Sequence, residues 1–234
     1  HAVTVKRLRA QERVDIVDGA GLRLVCEVTG AGVGGAKDRL AVRVLERVEE
    51  PEPSLRLTLV QALAKGGRDE QAVETATEVG VGLVLPWQSE RCVSVWQGAK
   101  QAKGRQRWQA TALQAAKQAR RARVPEVEEV RDTRRLVDWA GQTVRGGGVV
   151  LVLHEEASTP ISTAMESVRL PAPGEAPLAL AVVVGPEGGI SPEETAALEV
   201  AGATTVRLGP HVMRTASAGP VALAVLAHAS GLWE

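Results

Sequence analysis

Two glycine-rich stretches contain the residues of this sequence that could bind a ligand and act on it. VVVGPEGGIS, at 182–191, ends an apolar run in Gly-Pro-Glu-Gly-Gly, and LGPHVMRTASAG, at 208–219, follows the strand-like run TTVR. Because glycine carries no side chain, a flat or anionic ligand could approach the backbone of both stretches closely. Arg214 lies in the second stretch, where a guanidinium could orient a carboxylate, a phosphate or a developing anion; a surface ion pair fits the pattern equally well.

The sequence gives little support for a dinucleotide site, a metal site or a catalytic nucleophile. GAGVGG, at 30–35, matches the dinucleotide-binding pattern G-x-G-x-x-G, but the alternating run DRLAVRVLERV after it predicts a second strand, and hence a hairpin loop, instead of a helix. The histidines and cysteines have no metal-ligand spacing, so we expect no metal and, from the cysteines, a reducing compartment such as the cytoplasm. No nucleophile motif is present: Ser191 begins a capping box with Glu194, and helix capping also explains Ser217.

A basic segment extends from Arg91 to Pro125 and contains nine lysines and arginines but no Asp or Glu. The whole chain is neutral, with 28 basic and 28 acidic residues, so this segment predicts a local patch that binds a polyanion such as RNA or DNA. A solvated helix face is the alternative, although it would normally include Glu at i,i+4 spacing. Trp108 is in register with Ala112 and Ala115, which favours core packing over base stacking. The RNA-binding candidates are Lys6, Arg7, Arg9, Arg91, Lys103, Arg105, Arg120, Arg121 and Arg123.

The pattern of apolar and polar residues changes along the chain, and this change predicts the strands and helices that position the candidate residues. Residues 2–50 show short alternating runs separated by Gly and Asp, which predict a small antiparallel β-domain, and EEPEPS at 49–54 reads as a linker. Strand and helix patterns alternate from there to the end, which indicates a largely parallel sheet covered by helices. Ligands bind such sheets beyond the carboxyl ends of the strands, where both glycine-rich stretches are expected. No apolar run is long enough for a membrane helix.

Several segments, taken in order, resemble the ribosomal RNA small subunit methyltransferase E family, of the SPOUT class of S-adenosylmethionine-dependent enzymes. The resemblance spans nearly the whole chain. It is carried by HAVTVKRLR, TATEVGVGLVLPWQSERCV, RWQATALQAAKQARRARVPEV, LVLHEEA, VVVGPEGGISPEE and VRLGPHVMRTASA.

The resemblance implies an α/β fold with two domains. Residues 1–52 would form a smaller N-terminal PUA-like β-barrel that helps to bind RNA, and 53–234 a SPOUT methyltransferase domain whose chain is tied in a trefoil knot. Because the sequence opens on His1 in mid-pattern, we expect an N-terminal piece of the barrel to be missing. The implied activity is that of a cytoplasmic homodimer that methylates N3 of a specific uridine in 16S rRNA, free or within the small ribosomal subunit. S-adenosyl-L-methionine is the implied cofactor, and neither a membrane nor a metal is involved.

The resemblance also implies roles for the two glycine-rich stretches and for the end of LVLHEE. These three loops would hold S-adenosylmethionine, and Arg214 would stabilise the negative charge that develops on uracil as N3 is methylated. Glu187 is expected to fix its loop instead of taking part in the chemistry, and Arg121 to reach RNA phosphate or the pocket of a partner subunit. The residues implied to bind the cofactor are Leu153, His154, Glu155, Gly185, Pro186, Glu187, Gly188, Ile190, Leu208, Gly209, Val212, Met213, Thr215 and Ala218.

One departure from the family and two other functions stay open. Many relatives read R-T-E-T-A where this chain has Ala216 between Thr215 and Ser217. Either Ser217 and Thr215 cap the last helix and suffice, or that glutamate is not essential to transfer. A knotted enzyme acting on transfer RNA or on a ribose 2′-OH would share the cofactor loops. A non-catalytic RNA-binding assembly factor would bind RNA with a steep salt dependence but without the cofactor.

Overall fold

The computed structural model describes residues 8–31, 39–166, 171 and 175–233. The chain divides into two units. The first comprises the described residues up to Glu52 together with Arg121–Arg123, and the second comprises the described residues of Pro53–Arg120 and Val124–Glu234. Two of the RNA-binding candidates, Lys6 and Arg7, lie outside the described residues.

The first unit contains a three-stranded antiparallel sheet. Its strands are β1 (Arg13–Val17), β2 (Leu22–Ala31) and β3 (Leu40–Glu49), and β2 pairs with both of the others. This pairing confirms the predicted antiparallel β-structure, and β2 and β3 pair as the hairpin interpretation requires, although the loop at 32–38 lies outside the described residues. The part of this unit that the structure describes is a sheet of three strands and not a closed barrel.

The second unit is built on a sheet in which every strand pair is parallel. Within the described residues its seven strands are β4 (Leu55–Ala62), β5 (Leu83–Gln88), β6 (Glu126–Val127), β7 (Arg131–Asp132), β8 (Val149–Leu153), β9 (Leu178–Val184) and β10 (Thr204–Val206). Their order across the sheet is β10-β8-β9-β4-β5-β6, and β7 also pairs with β5. The central strands are runs of buried, mostly apolar residues, as expected when both faces of a parallel sheet are covered. The predicted α/β fold with a parallel sheet is confirmed.

Helices of the second unit cover both faces of this sheet. They are α1 (Arg68–Val79), α2 (Ala99–Gln118), α3 (Thr133–Arg145), α4 (Ile161–Glu166), α5 (Pro192–Val200) and α6 (Thr215–Ala229). Successive residues of a strand point to opposite faces. Leu57 and Leu59 of β4 accordingly share a core cluster with α1, α2 and α6, whereas Val60 and Ala62 share another with α3 and α5.

Trp108 of α2 is fully buried, and its ring meets that of Trp96 edge-on with the centroids 5.1 Å apart. This placement confirms the prediction of core packing for Trp108. None of the helices in the described part of the chain is long and apolar enough to cross a membrane.

Candidate active site

The carboxyl ends of three neighbouring strands form one edge of the sheet. β10, β8 and β9 lie side by side and run parallel, and the segments that leave them line a cavity of about 720 Å³. Every residue that the family resemblance assigns to the cofactor lines this cavity, and so does Arg214. The structure therefore brings the three predicted loops together, while their role in binding stays a prediction.

The turn after β9 needs two of its glycines for steric reasons. A Cβ atom at Gly185 would lie 2.7 Å from Cγ1 of Ile190, and Gly189 has a φ of +73°, which other residues rarely adopt. The Gly189 N–H donates to the carbonyl of Pro186 at 2.9 Å and closes the turn. The chain reverses within a few residues, and residues 185–190 lie along the cavity wall.

Helix α5 starts directly after this turn with the predicted capping box, which the structure confirms. The Ser191 Oγ accepts from the Glu194 N–H, and the Glu194 Oε2 accepts from the Ser191 N–H, both at 3.2 Å. The other carboxylate oxygen of Glu194 accepts from the Thr133 hydroxyl at 2.6 Å and from the Glu90 N–H at 2.8 Å. The buried Glu194 therefore joins α5 to α3 and to the segment that follows β5.

The side chains of Glu187 and Arg91 connect the same turn to other segments of the chain. The Glu187 Oε1 accepts from the Arg68 Nη1 at 3.0 Å and from the Lys65 N–H at 3.2 Å, and the Arg91 Nη1 donates to the Gly188 carbonyl at 3.2 Å. Partial burial acts to raise the pKa of the Glu187 carboxyl, but its own backbone N–H, that of Lys65 and the Arg68 side chain outweigh this effect and lower the pKa. These contacts are those expected of a residue that fixes its loop.

Arg214 lines the cavity from the loop that follows β10 and lies one residue before α6. Its side chain is exposed and, within the described residues, has no hydrogen bond or ion pair, so the surface ion pair that the pattern allowed is not seen there. Val212 and Met213 line the cavity beside it and are 76% and 43% exposed. The wall thus combines an accessible guanidinium with accessible apolar surface.

The start of α6 overturns the helix capping inferred for Ser217 and the alternative in which Thr215 caps the helix with it. The N-cap side chain, which accepts from the free N–H groups of the first turn, belongs to the residue just before the helix, but α6 begins at Thr215 itself and its N-cap residue, Arg214, makes no side-chain cap. Ser217 is exposed within the first turn. The Thr215 hydroxyl is used differently: it donates to the Gly185 carbonyl and accepts from the Gln61 Nε2, both at 2.9 Å.

Two side chains of the basic segment have acceptors elsewhere in the protein. Arg107 forms an ion pair with Glu70 of α1 at 2.7 Å, and Arg105 donates through Nε to the carbonyl of Val127 at 2.8 Å. Tertiary structure therefore supplies acceptors that the segment itself lacks, while RNA binding by this segment stays a prediction. Four of the RNA-binding candidates are exposed: Arg9, Arg91, Lys103 and Arg120.

Arg123 and Arg121 belong to the first unit. The Arg123 guanidinium donates to the Ala20 carbonyl at 2.6 Å and to the Glu50 carbonyl at 2.7 Å, so it links this segment to the three-stranded sheet of the same unit. Burial lowers the pKa of Arg121, and the charge of Glu50 partly offsets that effect. An RNA-binding role for these residues stays a prediction.

Several residues of the cavity wall were not singled out from the sequence. Most of them lie in or beside the predicted loops, and Arg207 and His211 line the same cavity as Arg214, whereas Arg68 lies outside the segments that carry the family resemblance. Within the described residues no group of His, Cys, Asp or Glu side chains could hold a metal ion. The additional lining residues are Arg68, Glu156, Val184, Gly189, Pro192, Arg207, Pro210 and His211.

Proteins of known family match the chain over its whole length. Residues 50–227 match the family model described as RNA methyltransferase domain, and this range includes every residue of the cavity wall. The chain is 46% identical over 234 residues to the Ribosomal RNA small subunit methyltransferase E of Mycobacterium tuberculosis (strain CDC 1551 / Oshkosh), and the match covers 100% of the chain and 85% of that relative. The chain belongs to the ribosomal RNA small subunit methyltransferase E family.

More distant members of the methyltransferase E family match as well. The Bacillus subtilis (strain 168) relative of the same name is 28% identical over 235 residues, which cover 99% of this chain and 88% of that one. The solved structure of the Ribosomal RNA small subunit methyltransferase E from Neisseria gonorrhoeae is bound to S-adenosyl methionine. It superposes with a TM-score of 0.79 at 26% identity and covers 97% of this chain and 86% of its own.

Proposed function

We propose that this chain is an S-adenosylmethionine-dependent methyltransferase that modifies N3 of a uridine in the 16S rRNA of the small ribosomal subunit. The observation that carries the proposal is the single cavity formed by the three loops that follow β8, β9 and β10. The chain that contains this cavity is 46% identical to the Ribosomal RNA small subunit methyltransferase E of Mycobacterium tuberculosis. A structural relative from Neisseria gonorrhoeae has S-adenosyl methionine bound.

The cavity suits S-adenosylmethionine in size and chemistry. Its volume of about 720 Å³ lies in the range of about 300–1,000 Å³ that is usual for small-molecule sites. A Cβ atom at Gly209 would meet no atom within 4 Å, so open space lies beside the backbone there. Leu153 and Ile190 supply apolar wall, and the exposed Glu155 carboxylate can accept hydrogen bonds from a ribose or an amino group.

The proposed chemistry assigns Arg214 an electrostatic role. When bound, S-adenosylmethionine supplies an electrophilic methyl group on its sulfonium. The N3 atom of uracil carries a proton, so negative charge develops on the base as N3 becomes a nucleophile. Arg214, accessible at the cavity wall, stabilises this charge through O2 or O4 of uracil or through the adjacent phosphate. The contacts of Glu187 and Arg91 keep the turn after β9 in place before the substrate arrives.

RNA binding is assigned to basic side chains that have access to solvent. Arg207 lines the cavity and is exposed. Lys103 of α2 is also exposed but does not line the cavity. Arginine and lysine side chains bind phosphate without regard to sequence, so these contacts orient the RNA while the cavity selects the base. The substrate is 16S rRNA, free or within the small ribosomal subunit.

We also propose the finer architecture that the family implies. The second unit is a trefoil-knotted SPOUT domain, the first unit is part of a PUA-like barrel, and the enzyme is a cytoplasmic homodimer. Support for the dimer comes from α6, on which Val221 and Val225, one turn apart, are 36% and 38% exposed. Analytical ultracentrifugation is expected to find twice the mass of one chain, and a single-chain mass at micromolar concentration would remove this part of the proposal.

Methyl transfer to defined RNA tests the proposed function. The protein is incubated with S-adenosylmethionine carrying a labelled methyl group and with small subunits, or naked 16S rRNA, that lack the modification. Methylation of N3 blocks the pairing edge of uracil, so reverse transcription is expected to stop at one position, and nucleoside analysis is expected to give 3-methyluridine. Label recovered as a 2′-O-methyl nucleoside would assign a different acceptor, and RNA binding without any label would make the protein an assembly factor.

A further inference from the structure

A buried chain of hydrogen bonds runs behind the cavity wall. Gln61, in β4, is fully buried, and its Nε2 donates to the Ala62 carbonyl at 3.1 Å and to the Thr215 hydroxyl at 2.9 Å. The Thr215 hydroxyl in turn donates to the Gly185 carbonyl at 2.9 Å. The chain therefore joins β4, the first residue of α6 and the first residue after β9.

The direction of these hydrogen bonds is set by the groups that take part. Thr215 has one hydroxyl proton, and a carbonyl can only accept, so this proton must point to Gly185. The amide nitrogen of Gln61 then supplies the hydrogen bond that the hydroxyl oxygen accepts. Gly185 and Thr215 line the cavity, whereas Gln61 does not, so Gln61 acts on the cavity only through its contact with Thr215.

Stability alone does not account for Gln61. Its Oε1 is buried and has no hydrogen-bond partner in the described part of the chain. An unpaired buried acceptor destabilises the folded state, and an apolar side chain of similar size would avoid that cost. The nearby Gly219 lets α6 come close, since a Cβ atom there would lie 2.6 Å from Cδ1 of Leu59 and 3.8 Å from the Gln61 Oε1.

We propose that Gln61 is a positioning residue for the cofactor cavity. By holding Thr215, it fixes the start of α6, with Arg214 one residue earlier, against the turn that begins at Gly185. It thereby sets the separation of two of the three loops that line the cavity. The proposal rests on the proposed function in one respect, namely that the ligand of the cavity is S-adenosylmethionine.

A double-mutant cycle measures this role. Calorimetry with S-adenosylmethionine compares the wild type, Gln61→Met, Thr215→Val and the double variant, each shown to be folded by circular dichroism. Loss of one buried hydrogen bond corresponds to about a fivefold weaker Kd for Gln61→Met. Because both residues act through the same contact, the double variant is expected to bind no more weakly than Thr215→Val. Multiplicative effects, or an unchanged Kd for Gln61→Met, would overturn the proposal.

Thr58→Val is the matched control. Thr58 is a fully buried residue of the same strand whose hydroxyl donates to the Arg56 carbonyl at 3.3 Å, and it does not line the cavity. Its substitution is expected to lower Tm and leave the Kd for S-adenosylmethionine unchanged. A Kd that weakens as much as in Gln61→Met would show that general loss of stability, and not positioning, causes the effect.

Amide hydrogen exchange separates a failure of this proposal from a failure of the proposed function. If the wild type binds no S-adenosylmethionine, the function fails, but the position of the two loops is still measurable in the free protein. Gln61→Met is expected to speed exchange at residues 187–190 and 215–219 relative to the wild type, and Thr58→Val is not. Equal exchange in these segments for both variants would overturn the positioning role.

Discussion

The Glu187 carboxylate and the Arg68 guanidinium meet at 3.0 Å and tie the turn after β9 to the first residue of α1. Arg68 and Glu187 are 119 residues apart in sequence, and both line the cavity. The ion pair therefore connects the glycine-rich turn to a residue outside the segments that carry the family resemblance. Because the Glu187 carboxylate must be charged to form this pair, the stability of the turn depends on pH.

The lowered pKa of Glu187 predicts a loss of stability in acid. A carboxyl whose pKa is lower in the folded than in the unfolded chain stabilises the fold above its ordinary value of 4.5, and this contribution disappears as pH falls through the folded pKa. Urea unfolding between about pH 3 and 7 is expected to show a step in the free energy of unfolding that Glu187→Gln lacks. Identical pH profiles for the two proteins would contradict a role for this charge.

Arg214→Ala is predicted to separate chemistry from cofactor binding. Removal of one group that stabilises developing charge usually costs about 10²–10³ in kcat, so single-turnover methyl transfer should fall by about that factor. The Kd for S-adenosylmethionine should stay within a few-fold, because the side chain faces the substrate in the proposed arrangement. Arg134→Ala, at an exposed position of α3 outside the cavity, is the control. Loss of affinity instead of rate would assign Arg214 to the cofactor.

Two serines near helix starts are predicted to differ in their contribution to stability. Ser191 accepts the capping hydrogen bond of α5, and Ser191→Ala should lower the free energy of unfolding by about 1 kcal/mol. Ser217 is exposed within the first turn of α6 and makes no cap, so Ser217→Ala should change that free energy little. Urea unfolding measures both, and equal losses would contradict the assignment of the caps.

Lys103 and Arg105, close together in α2, are predicted to act differently on RNA. Lys103 is exposed, so Lys103→Ala should weaken RNA binding and reduce the slope of log K against log salt by about 0.7 if it contacts one phosphate of a single strand. Arg105 donates to the Val127 carbonyl, and Arg105→Ala should lower Tm instead. Filter binding at several salt concentrations checks the first result and thermal unfolding the second.

The sequence predicts local features of the fold correctly where neighbouring residues determine them. The capping box of Ser191 and Glu194 depends on residues three apart, and the parallel sheet follows from alternating strand and helix patterns. The cofactor residues were implied by family resemblance, and the structure brings them to one cavity because the strands before them are neighbours. The cap predicted for Ser217 failed because the exact start of α6 is not marked in the sequence.

Contacts between distant residues were not predictable in the same way. Gln61 and Thr215 are 154 residues apart, and nothing in the run LRLTLVQAL distinguishes this glutamine from a polar residue at the end of a strand. Arg107 forms an ion pair with Glu70 of another helix. The absence of acidic residues from the basic segment therefore does not show whether Arg107 has a partner. Pairings of this kind depend on which strands are neighbours and on how closely the helices pack.

Calorimetric titration with S-adenosylmethionine tests the central claim most directly. The wild type is compared with Gly209→Val, a cavity position where an added Cβ atom meets nothing within 4 Å, and with Ala196→Val on the exposed side of α5. We expect saturable binding to the wild type and to Ala196→Val, and its loss in a folded Gly209→Val. A wild type that binds no S-adenosylmethionine, or a Gly209→Val that binds it as tightly, would contradict the assignment of the cavity.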